Sequence, residues 1–495
     1  MRPILAGIET EYGIDIEGVG PTGLVAVVAD FVRSCPIGRR GWDYRFESPK
    51  NDLRGFVAEE LAVDPQDMRF EAESQIPADG DVRSDRVLPN GARLYNDHGH
   101  PEYSTPECRS IRSLALSDLA GSLLLHRMAE AGDRAIRLYR NNTDYHGASY
   151  GTHESYLLPR NVGWERARDW LTPLLAVRGF LCGAGKVGTE DGPGPAFQLT
   201  QRADFFSEPI GVDTLYRRPL FNTRDEPHAD PGAWMRVHVI SGDANPTFQA
   251  ICRKVALAKA ALMLACLGEP TPFRLSEPVR AFRDASRDPS GDCRIELANG
   301  SWTTPRSILD TLVGTALARL DPAWDPELMA WLRDCGGLLD AYDSDTERFA
   351  REVEWAAKKL VFEQLSDETG VPMGSPEHQA YDLAFHDCDP ASNLFRALEI
   401  DGAFAEQPSA DELQPALERS LDPTRAAIRG LAVQEFPESV ASVCWRTIVL
   451  RTPDGTVQAD LPPDLDAPAQ LGACRDVENF VRTLQEAGVP CQKTD

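Results

Sequence analysis

Residues 90–108 (NGARLYNDHGHPEYSTPEC) constrain the fold more than any other part of the chain. If 92–97 is extended, its side chains alternate between faces, so Arg93, Tyr95 and Asp97 point one way and Leu94 and Asn96 the other. Glu102 follows after a turn containing glycine and proline. A half-buried strand ordinarily turns an apolar set toward the core, whereas here an arginine, a phenol and a carboxylate share a face. Burying charge at that density costs several kcal/mol per ion unless the charges are paired or hold a metal or substrate. The stretch is therefore a candidate active site, on a strand with one polar face.

Other segments supply similar chemistry. Residues 4–16 (ILAGIETEYGIDI) read as a strand that places Glu9 and Glu11 on one face. Adjacent carboxylates repel unless a cation lies between them, and oxygen-rich sites suit magnesium; a solvent-facing strand with exposed glutamates is the equal alternative. In residues 149–159, Tyr150, Thr152, Glu154 and Tyr156 share a face while His153 lies opposite, and Glu154 is the better metal candidate of that pair. Residues 236–240 (RVHVI) put Arg236 and His238 on one face, and a histidine among strand carboxylates is a candidate to complete a metal shell. Arg202, on an expected strand over 196–205, and Arg224 have forks suited to phosphate or carboxylate, but acidic neighbours make ion pairing the better reading from the residues alone. Residues 183–188 (GAGKVG) match G-x-G-x-x-G only formally, because a helical run precedes them and no helix follows. They read as a turn.

The whole chain sets the limits. A composition of 42% hydrophobic and 26% charged residues over 495 positions is that of a globular protein with room for more than one domain. Its formal charge of −26 argues against a nucleic-acid footprint. No apolar run suggests a membrane span, and the first residues do not read as a signal peptide, which makes the cytoplasm the expected location. Eleven cysteines with no C-x-x-C pair argue against a disulfide framework or a zinc ribbon. Helices are expected over 22–35, with Thr22 as N-cap, over 111–132, and through most of 245–422. A linker leads to a small unit at 423–495 with a strand at 443–450, where Trp445 is either core or a stacking platform. Residues 57–89 form a long acidic segment of little periodicity that separates the Glu9 and Arg93 strands and could hang near the site.

As an ordered set, residues 7–13 (GIETEYG), 90–95 (NGARLY), 100–103 (HPEY), 141–142 (NN), 149–154 (SYGTHE) and 222–230 (NTRDEPHAD) resemble the Pup ligase and depupylase family, bacterial enzymes related to glutamine synthetase and γ-glutamyl-cysteine ligase. The resemblance implies an α+β fold in two parts. Residues 1–422 would be a glutamine-synthetase-like domain whose curved antiparallel sheet cradles ATP and magnesium with helices behind, and 423–495 a small α/β domain contributing to the nucleotide site. By position, Glu9, Tyr95 and Glu102 resemble magnesium ligands, with His238 a further candidate. Asp97 resembles the catalytic aspartate, Arg93, Thr105 and Trp445 nucleotide contacts, and Arg202 and Arg224 arginines that hold the γ-phosphate or released phosphate, which lifts those two above simple ion pairing.

Within the family, residues 41–56 and the acidic segment after them are similar to the depupylase's extra segment, and residues 97–103 and 183–188 also look closer to that side. The resemblance thus implies hydrolysis of the isopeptide bond between the C-terminal glutamate of Pup and a substrate lysine, and deamidation of a C-terminal Pup glutamine. The cofactors implied are magnesium with ATP, or with ADP plus phosphate. Pup and pupylated proteins are the implied partners, with a link to the bacterial proteasome. The alternative is the ligase, which forms the same bond and consumes ATP. Departures at 153–155 (HES) and 230–236 (DPGAWMR) bear on how Pup is bound.

Overall fold

A computed structural model describes residues 2–62, 74–76, 80–190 and 194–494. Its central sheet has eight strands, in chain order β1 (Ala6–Glu11), β2 (Arg86–Val87), β3 (Arg93–Asp97), β4 (His100–Ser104), β5 (Thr152–Pro159), β6 (Phe206–Gly211), β7 (Arg218–Asn222) and β8 (Trp234–Val239). They lie side by side as β6-β7-β8-β5-β1-β4-β3-β2. Every neighbouring pair is antiparallel except β6 and β7 at one edge.

Alternation divides this sheet chemically. Ile8, Thr10, Leu94, Tyr103, Tyr156, Leu158 and Val237 are buried in one direction, toward α1 (Ile111–Ala131) and α2 (Trp164–Val177), which pack in turn on α3 (Phe248–Leu267). The helix α1 starts where Ser110 accepts a hydrogen bond from the Ser113 amide at 3.1 Å, which satisfies one of the donors a helix start leaves open. Charged residues on this side are paired: Thr10 donates to Asp118 at 2.9 Å, and Asp118 receives Arg140. The other direction carries the polar set described below.

A second sheet is formed by β9 (Val440–Val443), β10 (Thr447–Thr452), β11 (Gly455–Asp460) and β12 (Cys491–Thr494), and it packs with α4 (Arg425–Glu435) and α5 (Val477–Glu486). Its apolar cluster takes in Val440, Ile448, Leu450 and Phe480, and also Trp42 and Val87 from the first part of the chain. The half-buried carboxylate of Glu107, just after β4, ties the two regions together by receiving Arg425 at 2.7 Å and Arg429. No helix among the described residues is long and apolar enough to cross a membrane.

Several expectations need correction. Residues 4–16 are not one strand: β1 ends at Glu11, and Gly13–Ile16 pair with Ile136–Tyr139 in a separate ladder. The break follows Tyr12, which is buried with its hydroxyl 3.0 Å from Ser122, while Gly13 lies so close to Tyr150 that a Cβ would stand 2.4 Å from its hydroxyl. The first helix spans Pro21–Arg33 with Gly20, not Thr22, as N-cap, because proline's missing N–H suits the first turn. Residues 196–205 hold only the short strand Phe197–Gln198, paired with Lys186–Val187, and Arg202 precedes a 3-10 turn. Trp445 lies in the tight turn between β9 and β10 and not within a strand. Of the acidic segment, 63–73 and 77–79 lie outside the described residues.

Candidate active site

Strand register assembles the polar face. Glu9 stands opposite Ser104 and His153, Glu11 opposite Glu102, Tyr95 opposite Glu102, and Asp97 opposite His100. Partners across antiparallel strands share a face, so these side chains converge with His238, which β8 brings alongside β5. One ligand atom each from Glu11, Asp97 and Glu102 lie within 4.8 Å of one another, and the same is true of Glu9, His153 and His238.

The electrostatics of both groups call for cations. Burial, and then the Asp97, Glu11 and Glu9 carboxylates, push Glu102 well above the usual carboxylate range. Both ring nitrogens of the buried His238 lack a hydrogen-bond partner, and burial followed by the Arg236 charge holds the imidazole well below its ordinary pKa, neutral with one ring nitrogen's lone pair free. These residues fit metal ions. The all-carboxylate group matches magnesium, while a carboxylate with two imidazoles suits transition metals such as manganese as well. Tyr95 is buried with its phenol pushed up by burial and by Glu102, and Arg93 stacks 4.0 Å from its ring centre.

Glu154 does not belong to this site. It shares a face with Ile8, its partner across β1, and so points toward the helices. There Arg178 grips it with two bonds of 2.6 and 3.0 Å, and Tyr156 donates at 2.6 Å. His153, the residue passed over in the sequence, stands beside the Glu9 carboxylate at 3.6 Å and packs edge-on to His238. The alternation 152–158 is equally polar in both phases, and what decides it is Arg178, which no local pattern points to.

Arg202 and Arg224 are not ion-paired: among the described residues neither has a carboxylate within salt-bridge distance. Arg202 is fully buried and donates to the carbonyls of Tyr150 at 3.0 Å and Ile240 at 3.1 Å and to the Ser149 hydroxyl. Burial, together with the Arg218 charge, lowers it to about 9. Arg224 donates to the Thr214 hydroxyl at 3.1 Å and is lowered by burial and by Arg236. The Nε of each has no partner. Arg202 feels the charge of Glu11, and Arg224 those of Glu9 and Asp97, so both stand close to the acidic face. Buried guanidinium groups without a counter-charge are sites for an anion.

An open cleft begins at Glu9 and runs between β1, β5 and the turn that carries Trp445. Thr105 and Trp445 both line it, with Gly7, Leu157, His228 and Arg425. Thr105 is fixed by two bonds with Ile8, its hydroxyl accepting from the amide at 3.0 Å and its own amide donating at 2.9 Å. Arg93 is outside this lining. It donates from Nε to Asp85 at 2.5 Å, lies 3.5 Å from Glu47, and stacks 4.3 Å from the Trp42 ring centre. Trp42 in turn meets Trp445 edge-on at 5.0 Å. The sequence did not point to Trp42, Glu47 or Asp85, which act as partners of Arg93, or to Glu226, which lies 3.4 Å from Arg236.

A sheet whose acid-rich face is bordered by unpaired arginines and by an apolar cleft is the working face of an enzyme. The chain belongs to the Pup-ligase protein family, whose model matches residues 4–449. It is 34% identical over 472 residues to the depupylase of Acidothermus cellulolyticus, covering 90% of this chain and 91% of that protein. It is 38% identical over 389 residues to the Pup–protein ligase of Micrococcus luteus, covering 74% of this chain and 84% of the ligase. The solved complex of prokaryotic ubiquitin-like protein Pup with its ligase PafA superimposes with a TM-score of 0.75 at 26% identity, covering 98% of this chain and 92% of that one. A Pup ligase PafA in complex with ADP superimposes with a TM-score of 0.70 at 28% identity, covering 82% of this chain and 90% of that one.

Proposed function

We propose that this protein is a depupylase and Pup deamidase, acting in the cytoplasm on Pup and pupylated proteins that feed the bacterial proteasome. The observation that carries the reading is the match to a depupylase along nine-tenths of both chains, whereas the Micrococcus ligase aligns over a shorter part of this one. Glu9, His153 and His238, with Glu11 and Glu102, are the residues that would hold magnesium; the Thr105–Trp445 cleft would hold the nucleotide of ATP or ADP, and Arg202 and Arg224, close to the acidic face, would meet its phosphates or released phosphate. The ADP bound by the solved PafA relative supports the nucleotide. When bound, magnesium would supply positive charge for the nucleotide's phosphates and for the oxygen of the amide under attack.

The chain's own residues do the rest. Asp97 stands at the end of β3 beside the acidic cluster, where it serves as nucleophile toward the amide carbon or as base for the attacking water. Water adds across the C–N bond, its oxygen ending on the glutamate carboxylate of Pup and its protons on the departing lysine amine, or on ammonia when glutamine is cleaved. The incoming chain must find a local non-acidic path, because this protein is itself strongly acidic.

Incubating the purified protein with magnesium, ATP and glutamine-ended Pup tests the reading: the mass of Pup should rise by the difference between amide and acid. Unchanged mass in the presence of bound nucleotide overturns it. The higher identity of the Micrococcus ligase, 38% against 34%, favours the second reading, ligation. A ligase consumes one ATP per bond formed, whereas a depupylase needs nucleotide without steady consumption.

A further inference from the structure

Asp97 lies among carboxylates, and what keeps it oriented is visible in its neighbours. One oxygen stands 3.7 Å from the Arg83 guanidinium, and His98 is 3.9 Å away. Among the described residues Arg83 is the one permanent cation within salt-bridge distance of Asp97. It is carried by the acidic insertion, from the other side of β3. Its guanidinium lies 5.8 Å from the ring centres of both Tyr44 and Tyr95, so the cation sits between aromatic groups that limit its directions.

The backbone around Arg83 is held independently of this contact. Its carbonyl accepts from the Asn96 amide at 2.8 Å, which sets it directly alongside the strand that ends in Asp97. Ser84 is fully buried and receives Arg33 at 3.2 Å. Asp85 is anchored by Arg93 at 2.5 Å and by the Tyr44 hydroxyl. The insertion's last described stretch is thus pinned on both sides of Arg83, while the Arg83 side chain itself is 44% exposed toward the site.

We propose that Arg83 is the positioning residue for the Asp97 carboxylate. An unrestrained carboxylate here has two alternatives: to turn both oxygens toward a cation shared with Glu11 and Glu102, or to turn away from those like charges. The Arg83 charge, 3.7 Å away, draws one oxygen toward it and leaves the other for the scissile bond, so the insertion supplies the element that keeps Asp97 available for chemistry. The inference rests on the assignment of Asp97 as the reacting group.

The test compares wild type with Arg83→Ala and Arg83→Lys in the full chain, measuring kcat and KM for glutamine-ended Pup, nucleotide Kd and Tm. A group that orients a reacting ligand is worth about tenfold to hundredfold in activity. Arg83→Ala should lose that factor in kcat with KM, Kd and Tm unchanged, Arg83→Lys should recover most of it, and added guanidinium should restore part of the alanine variant's rate. Wild-type kcat in Arg83→Ala overturns the proposal, as does a loss confined to KM or one that tracks a fall in Tm. Assaying ligation of Pup in parallel separates the two readings. A wild type that ligates and does not hydrolyse defeats the depupylase assignment, and Arg83 is then judged on the ligation kcat.

Discussion

Glu154 and Glu102 lie on opposite faces of one sheet, and both are buried. Behind the sheet, Glu154 meets the fork of Arg178 and the Tyr156 hydroxyl, and these bonds hold it below its ordinary range although burial pushes it up. In front, Glu102 meets Asp97, Glu11 and Glu9, and it is pushed far up. The arginines divide in the same way: Arg178 and Arg140 have carboxylates, whereas among the described residues Arg202 and Arg224 have none within salt-bridge distance. Burial alone therefore says little about function. A buried charge with its partner belongs to the fold, and one left among like charges or alone marks a place for something from outside the chain.

The largest difference between the faces is expected in catalysis. Asp97→Asn should lower turnover of glutamine-ended Pup by about a thousandfold or more, because the amide neither attacks nor takes a proton. Nucleotide Kd should stay near wild type, and near-normal turnover would remove Asp97 from the reaction. On the back face, Glu154→Ala leaves Arg178 buried without its counter-charge, and urea unfolding should show a loss of about 3–5 kcal/mol. A small loss would mean that water reaches Arg178 and that the two faces are less distinct than the burial implies.

A paired acid should also show itself through pH. Although burial raises it, the Arg429 and Arg425 charges hold Glu107 down at about 2, against 4.5 for a free glutamate. Its folded value is below its unfolded one, so its contribution is complete above the unfolded value and is lost as pH falls from about 4.5 toward 2. The loss is of order 2–3 kcal/mol. Glu107→Gln should flatten that part of the stability profile, and a variant with the wild-type acid slope would show that the Arg425–Arg429 clamp is not what holds the second sheet to β4.

What the sequence revealed follows the same division. The polar phase of residues 92–97 and the pairing of Glu9 with Glu11 were legible because alternation has a period of two and these segments are regular, and α3 was legible from its long apolar run. The choice between His153 and Glu154 was not, because both phases of β5 carry polar residues and the deciding partner lies 24 positions away in Arg178. Arg202 and Arg224 have acids near them in the chain, yet the turns that carry them point their guanidinium groups elsewhere. Spatial neighbours, not sequence neighbours, determine whether a charge is satisfied.

The smallest effect tests that rule most sharply, because it changes sign between the faces. Glu102→Gln removes a carboxylate from a crowd of carboxylates, so in metal-free buffer the variant should be more stable than wild type, on the order of 1 kcal/mol. The same change at Glu154 should be destabilising, since it removes the charge that Arg178 needs. Added magnesium should then raise the Tm of wild type by mass action and raise that of Glu102→Gln much less, as a ligand stabilises a fold only in proportion to its binding. Thermal scans with and without magnesium read both quantities. If Glu102→Gln were less stable than wild type without metal, the hydrogen bond from Tyr95 would outweigh the repulsion from the neighbouring carboxylates, and the contrast between the two glutamates would have to be abandoned.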